Sequence, residues 1–172
     1  MSVTLPSIPS SRAAELALGT FRTEAGGLIR DARLRYRVYG DLALGRAHGA
    51  TLIFHALTGS AEVDTWWSPV IGPGKAMDTN RHPVIAANLL GSCYGSSGPS
   101  ETTDGSFPSL TPADLARAHI PLLQHLGISR LVLVTGGSLG GMVALHWGLL
   151  TPVPVERLVV FAAPARTSAQ AI

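Results

Sequence analysis

Charge, lysine and cysteine are all scarce in this sequence. Of its 172 residues 14% are charged and 46% are apolar, a balance that is typical of a chain with a buried core and excludes an intrinsically disordered protein. Lysine occurs once, at Lys75, and 13 Lys and Arg against 11 Asp and Glu give a net charge of +2. Because no dense run of cations is present, we expect no nucleic-acid partner.

Cys93 is the single cysteine, which excludes an intramolecular disulfide. A chain without disulfides fits a reducing compartment, and we expect a cytoplasmic protein. The N-terminus lacks an apolar stretch of signal-peptide length, and no segment approaches ~20 uninterrupted apolar residues, so no membrane span is expected. No cluster of His, Cys and Asp has the spacing of metal ligands, and we predict neither a metal nor a bound cofactor.

The length of the chain fits one domain. Residues 1–17 contain prolines and serines typical of a loosely ordered lead-in, so the domain is placed at residues 18–172. Two segments with strand character, residues 21–24 and 33–39, flank a Gly26-Gly27 turn and predict an antiparallel hairpin.

Four short apolar runs follow the hairpin, at residues 50–54, 83–87, 131–134 and 158–161. Apolar runs without alternation are typical of strands that are buried on both faces of a parallel sheet. Helical patterns separate some of these runs, as in βαβ units. The sequence therefore predicts an α/β fold with a mostly parallel sheet.

Two helices are predicted between the later strands. In the first, Thr111 caps the helix, Pro112 takes the first helical position and Asp114 completes a capping box. Its inward positions are Leu115, Ala118, Leu122, Leu123 and Leu126, and Gly127 ends it. The second helix is predicted over residues 139–150, before Pro152.

The sharpest chemical signal is the segment T-G-G-S-L-G-G at residues 135–141. It contains G-x-S-x-G between a predicted strand and a predicted helix, which is the setting of a nucleophile elbow. Ser138 would be the attacking residue, and the backbone NH of Leu139 would be one oxyanion donor. A second donor is expected near Leu57, in the loop after an earlier strand. The alternative is a glycine-rich turn that binds a phosphate or has no ligand.

The residues that would complete a catalytic triad are not evident. His55 precedes the serine, whereas the acid and histidine follow it in this kind of site, so His55 is interpreted as structural. His146 lies eight residues into the following helix, ~12 Å along its axis, and Glu156 has no histidine to orient. We expect His119 and His125 to face solvent or loops.

Two further features are interpreted as having no catalytic role. Cys93 lies in a Gly/Ser loop with no evident partner base, so we expect it to be inert. Trp66 and Trp67 are interpreted as packing residues, although they could also line a site.

Four blocks occur in a fixed order along the chain. They are H-A-L-T-G at 55–59; W-W at 66–67 leading to I-G-P-G-K-A at 71–76 and D-T at 78–79; N-L-L-G-S-C-Y-G-S-S-G-P-S at 88–100; and G-G-S-L-G-G-M at 136–142. Together they resemble the homoserine O-acetyltransferase family, the acyl-transferring branch of the α/β-hydrolase fold. The resemblance covers roughly residues 20–172, and its second and third blocks are more specific than the serine motif.

The resemblance implies a ping-pong acyl transfer. Ser138 would take an acetyl group from acetyl-CoA, a co-substrate, and pass it to the side-chain hydroxyl of L-homoserine, a step toward methionine. Leu57 and Leu139 match the positions whose backbone NH groups form the family's oxyanion hole. The resemblance also implies small-molecule substrates and a homodimeric full-length form.

Family members continue through a helical lid to a catalytic aspartate and histidine, which this chain does not match. We therefore expect the N-terminal part of an α/β-hydrolase domain, ending before the lid and the C-terminal strands, and inactive by itself. Three alternatives stay open. They are the same scaffold using succinyl-CoA or L-serine, a serine hydrolase (esterase), and a non-catalytic fragment.

Overall fold

The computed structural model describes residues 13–102, 106–150, 152–166 and 168. They form a six-stranded sheet in the order β1-β2-β4-β3-β5-β6. The strands are β1 (Ala13–Arg22), β2 (Leu28–Tyr39), β3 (Ala50–Phe54), β4 (Val84–Ala87), β5 (Leu131–Gly137) and β6 (Leu158–Phe161). The helices are α1 (Leu42–His48), α2 (Val63–Trp66), α3 (Pro112–Arg117), α4 (Ile120–Leu126) and α5 (Leu139–Leu150).

The predicted parallel sheet is confirmed. β3 lies between β4 and β5 and is parallel to both, and β5 is parallel to β6. Every residue of β3 and β4 is buried, as their unbroken apolar runs predicted. Alternate residues of β3 face two different cores, because Leu52 and Phe54 pack with α4 and α5, whereas Ile53 packs with the α2 side.

The antiparallel hairpin is also confirmed, with β1 paired to β2 and β2 to β4. β1 begins at Ala13, so residues 13–17 belong to the sheet and not to a lead-in, while residues 1–12 lie outside the described residues. The alternation that places Ala14, Leu16 and Leu18 against the core is the signal that was missed.

The predicted helix after Thr111 begins as expected but is divided in two. Thr111 and Asp114 form the capping box, and the inward positions named from the sequence are buried. The helix breaks between Arg117 and Ile120 because Pro121 has no NH to donate to the carbonyl of Arg117 and its ring crowds that carbonyl.

Asp114 also fastens α3 to the hairpin. Its carboxylate is fully buried and accepts hydrogen bonds from the backbone NH of Glu24 at 2.9 Å and from Arg117 Nη2 at 2.8 Å. The same arginine donates to the carbonyl of Arg22 at 2.6 Å and lies over the Phe21 ring. These bonds hold the end of β1 against the helix layer.

β6 occupies an edge of the described sheet, and its apolar run is not buried as the runs of β3 and β4 are. Leu158, Val159 and Phe161 expose 40%, 39% and 50% of their surface. Within the part of the chain that the structure describes, β6 pairs with β5 and with no second strand. Apolar side chains on an open edge favour association with another surface.

His119 is buried, contrary to the expectation from the sequence. Its ring stands edge-on to Phe54 with centroids 4.8 Å apart, and its Nδ1 donates to the carbonyl of Leu115 at 2.8 Å. His119 lies four residues after Leu115 and three before Leu122, so it shares the buried face of the helical segment. Burial lowers the pKa of His119 to about 4, because the charged form is poorly solvated there; the hydrogen bond to Leu115 opposes this and the nearby His55 adds to it.

Acid should therefore destabilise the fold through His119. In the unfolded chain the pKa is ~6.5, so between about pH 6.5 and 4 the unfolded state binds a proton that the folded state does not. The free energy of unfolding should fall by about 3 kcal/mol over this range, at ~1.4 kcal/mol per pKa unit. Urea unfolding of His119→Asn, which keeps a donor for Leu115, should lack most of this slope.

His125→Asn is the matched control, because His125 lies on the same helix and is exposed. Its acid slope should equal that of the unchanged chain. Equal slopes for all three proteins would contradict the burial of a neutral His119.

Candidate active site

The strand-to-helix turn at Ser138 has the geometry of a nucleophile elbow. Ser138 is the single residue between the end of β5 at Gly137 and the start of α5 at Leu139, and its φ is +54°. That backbone conformation is unfavourable for a residue with a side chain. It is held by two bonds, from the Ser138 NH to the carbonyl of Phe161 at 3.0 Å and from the Met142 NH to the carbonyl of Ser138 at 3.1 Å. The side chain is exposed at the tip of the turn.

Two glycines allow the backbone to pack this closely. A Cβ on Gly140 would lie 2.1 Å from the carbonyl oxygen of Phe54 and 2.7 Å from that of His55. A Cβ on Gly136 would lie 2.3 Å from the carbonyl oxygen of Gly140. Because backbone atoms cannot move aside as a flexible side chain can, the first turn of α5 rests directly on the end of β3.

This contact brings together the two residues predicted as oxyanion donors. Leu139 is the first residue of α5, so its NH has no acceptor within the helix. Leu57 lies in the loop after β3, is 75% exposed, and within the described part of the chain its NH has no acceptor either. Two free NH groups on adjoining loops, with a helix N-terminus at one of them, favour negative charge between them. Their role in catalysis stays a prediction.

His55 fixes the loop that carries Leu57. Its Nδ1 donates to the carbonyl of Ala56 at 2.7 Å, and its Nε2 accepts from the NH of Leu89 at 3.0 Å. Burial lowers the pKa of His55, and the hydrogen bond to Ala56 partly opposes this. Since both ring nitrogens are engaged in a neutral ring, His55 has no free lone pair with which to accept a proton from Ser138 Oγ. The structural interpretation of His55 is supported.

The other triad candidates also lie away from Ser138. His146 is two turns along α5, and Glu156 precedes β6 at the opposite end of the parallel strands, where it pairs with Arg130 at 3.6 Å. Ser138 Oγ has no hydrogen-bond partner among the residues that the structure describes. The described part of the site therefore contains the predicted nucleophile and the predicted oxyanion donors, and none of its residues is placed to act as a base.

A cavity of ≈530 Å³ opens beside Leu57 and Leu139, which both line it. The rest of its wall is mainly apolar and includes Leu89, Leu90 and Phe107. We call it the acyl cavity. An apolar space next to two unpaired backbone NH groups suits the hydrocarbon part of a small acyl group, because that part loses water without leaving a polar atom unpaired.

Trp66 and Trp67 are packing residues, as predicted. Trp66 donates from Nε1 to the carbonyl of Ser60 at 3.1 Å, and both rings pack on the core of the α2 side. Trp67 also meets Phe161 edge-on at 5.9 Å, beside the carbonyl that holds Ser138. Cys93 is exposed, and its lack of reactivity stays a prediction.

Asn88 is a site residue that the sequence reasoning passed over. It is buried at the end of β4, where Oδ1 accepts from the NH of Ala61 at 2.6 Å and Nδ2 donates to the carbonyl of Tyr94 at 2.5 Å. One side chain thus joins the loop after β3 to the loop after β4. A lone amide at the end of an otherwise apolar strand was the available signal, because a buried amide must find partners.

No helix of the described residues is long and apolar enough to cross a membrane. No group of three or more His, Cys, Asp or Glu side chains in those residues is arranged to hold a metal ion.

The chain matches a family model described as the α/β hydrolase fold over residues 50–171. It is 43% identical over 174 residues to a protein of Thermus thermophilus named homoserine O-acetyltransferase, covering 85% of this chain and 45% of that protein. The chain thus spans less than half the length of this curated relative.

Solved structures are similar in fold. A homoserine O-acetyltransferase from Staphylococcus aureus matches with a TM-score of 0.80 at 32% identity, over 94% of this chain and 49% of that one. An acetylester hydrolase from Corynebacterium glutamicum matches with a TM-score of 0.81 at 30% identity, over 92% of this chain and 46% of that one.

The contact between Gly140 and β3 can be tested by adding one methyl group. Gly140→Ala should lower the free energy of unfolding by about 3 kcal/mol, because its Cβ would meet fixed carbonyl oxygens. Gly148→Ala, in the same helix, is the control: its Cβ would lie 3.0 Å from the flexible end of Leu158. Alanine is about 1 kcal/mol more favourable than glycine within a helix, which offsets the crowding at Leu158. The free energy of unfolding of Gly148→Ala should therefore change little. Urea unfolding followed by circular dichroism measures both, and equal effects would contradict the close approach.

Proposed function

The chain belongs to the α/β-hydrolase fold family, and we propose that it carries the nucleophile and oxyanion half of an acyltransferase site that moves an acetyl group from acetyl-CoA to the hydroxyl of L-homoserine. The observation that supports this most directly is Ser138 on a strained turn beside two free backbone NH groups and the acyl cavity. The named relatives supply the substrate class, since both the curated and the solved ones include homoserine O-acetyltransferases.

The first half-reaction is acylation of the serine. Ser138 Oγ attacks the thioester carbonyl carbon, the Oγ–C bond forms, and the carbonyl oxygen becomes an oxyanion between the NH groups of Leu57 and Leu139. The C–S bond then breaks, and the serine proton reaches the departing thiolate through a general base. The family resemblance implies a later histidine as that base, and no described residue of this chain takes its place.

The second half-reaction reverses these steps with a new nucleophile. The hydroxyl oxygen of L-homoserine attacks the acyl-serine carbonyl, the same two NH groups stabilise the oxyanion, and the Oγ–C bond breaks to release the ester. The proton of the acceptor hydroxyl returns to Ser138 through the base. Methionine synthesis in the cytoplasm is the setting that this reaction implies.

A hydrolase is the second candidate, favoured by the similar fold of an acetylester hydrolase. In that case water replaces homoserine in the second half-reaction, and the described half of the site serves equally well. The two functions differ in what accepts the acyl group, so homoserine dependence of product formation separates them.

The experiment is acylation of Ser138 by an activated acetyl ester, p-nitrophenyl acetate, whose good leaving group needs less help from a base. Mass spectrometry of the digested protein should find an acetyl group on the peptide that contains Ser138. Ser138→Ala should abolish the adduct without unfolding the chain, because alanine fits the turn as serine does. Ser100→Ala, an exposed serine outside the elbow, should leave it unchanged.

Adduct formation in Ser138→Ala at the unchanged rate would exclude this serine as the nucleophile. Adding L-homoserine to the acylated protein then distinguishes the two candidates. Faster loss of the adduct with formation of O-acetylhomoserine indicates a transferase. Loss at the same rate with and without homoserine, but faster than from the urea-unfolded chain, indicates a hydrolase.

A further inference from the structure

A second cavity, of ≈360 Å³, adjoins the acyl cavity. We call it the Arg35 cavity, because the side chains of Arg35, Arg37, Ser60, Glu62 and Tyr94 line it. Its wall is polar, in contrast to the apolar wall of the acyl cavity. The two spaces share the segment Cys93-Tyr94 as a common wall, so they lie side by side.

Arg35 differs from the arginines on either side of it. Arg33, Arg35 and Arg37 alternate along the same face of β2. Arg33 pairs with Glu15 at 3.5 Å and also with Glu101, and Arg37 pairs with Glu62. No carboxylate oxygen of a described residue lies within 4.0 Å of a nitrogen of Arg35. The charged residues of the wall are Arg35, Arg37 and Glu62, so the Arg35 cavity has one uncompensated positive charge.

The position of Arg35 is fixed by its surroundings. Gly95 has φ +95°, and a Cβ there would lie 2.7 Å from Arg35 Cδ, so the arginine stem rests on the glycine backbone. The Arg35 NH donates to Ser96 Oγ at 2.9 Å, and its carbonyl accepts from the Asn88 NH at 2.8 Å. The loop that lines the acyl cavity therefore also holds Arg35 in place.

We propose that the Arg35 cavity is an anion subsite, in which Arg35 binds a phosphate of the acyl donor or the carboxylate of the amino-acid acceptor. The inference rests on the proposed function, because both proposed substrates are anionic away from the reacting atoms. A guanidinium without a carboxylate partner donates readily to phosphate or carboxylate, and such charge-assisted bonds are stronger than neutral ones.

Calorimetric titration of the protein with CoA, pantetheine, L-homoserine and L-homoserine methyl ester tests the subsite and identifies its ligand. Arg35→Gln should weaken binding of one anionic probe about tenfold, the loss of one charge-assisted hydrogen bond. If the anion is a phosphate, the substitution lowers the affinity for CoA. The affinity for pantetheine, which lacks the nucleotide phosphates, is unchanged. If the anion is the acceptor carboxylate, the substitution lowers the affinity for L-homoserine and leaves the affinity for its methyl ester unchanged.

Arg30→Gln is the matched control, since Arg30 is an exposed arginine of the same strand that does not line the Arg35 cavity. It should bind all probes as the unchanged protein does. Arg35→Lys keeps the charge and should recover part of the lost affinity, which a merely structural role for Arg35 would not predict. Thermal unfolding of each variant verifies that the fold is kept.

Unchanged affinity for both anionic probes in Arg35→Gln overturns the inference, and so does failure of the unchanged protein to bind either probe. Failure of the proposed function looks different. CoA binding that depends on Arg35, without acetylation of Ser138, leaves an anion subsite on a protein that does not transfer acyl groups. Acetylation of Ser138 with Arg35-independent binding leaves the transferase without this subsite.

Discussion

The close approach of α5 to the end of β3 is the constraint on which the site depends. Gly140 sits where a Cβ would overlap the carbonyl oxygens of Phe54 and His55, so the helix starts in direct contact with the strand. The register of the sheet makes this contact possible, because Phe54 of β3 pairs with Gly136 of β5 and the two parallel strands end at the same end of the sheet. A wider helix-to-strand separation would part the NH groups of Leu57 and Leu139 and divide the oxyanion site between two unrelated loops.

Strain at the elbow is distributed over neighbouring backbone. Ser138 and Ala162 are both non-glycine residues with positive φ, at +54° and +46°. The Ser138 NH donates to the carbonyl of Phe161, the residue directly before Ala162. Each such residue costs of order 1–3 kcal/mol and persists where its surroundings determine the conformation. The end of β6 therefore helps to position Ser138 through a backbone carbonyl.

Much of this arrangement was readable from local sequence. The bounds of β3, β6 and α5 agree with those predicted, because unbroken apolar runs, a G-x-S-x-G turn and a following proline are all local signals. The burial of His119 was misjudged, because its spacing from Leu115 and Leu122 places it on their buried face and only its polarity favoured exposure. The role of Asn88 was also hidden, since its partners at Ala61 and Tyr94 are brought together by the sheet and not by the sequence.

The electrostatic and the proton-transfer parts of the site are physically separable here. The proposed oxyanion donors are the backbone NH groups of Leu57 and Leu139, which both lie within the described residues and do not depend on the titration of a side chain. His55 cannot add proton transfer, because both of its nitrogens already hold Ala56 and Leu89. Oxyanion stabilisation and binding without a triad still leave roughly 10³–10⁴-fold catalysis over water in serine proteases. The fold therefore determines where negative charge would be stabilised, whereas a base would determine how fast Ser138 is deprotonated. The first of these properties does not depend on the second.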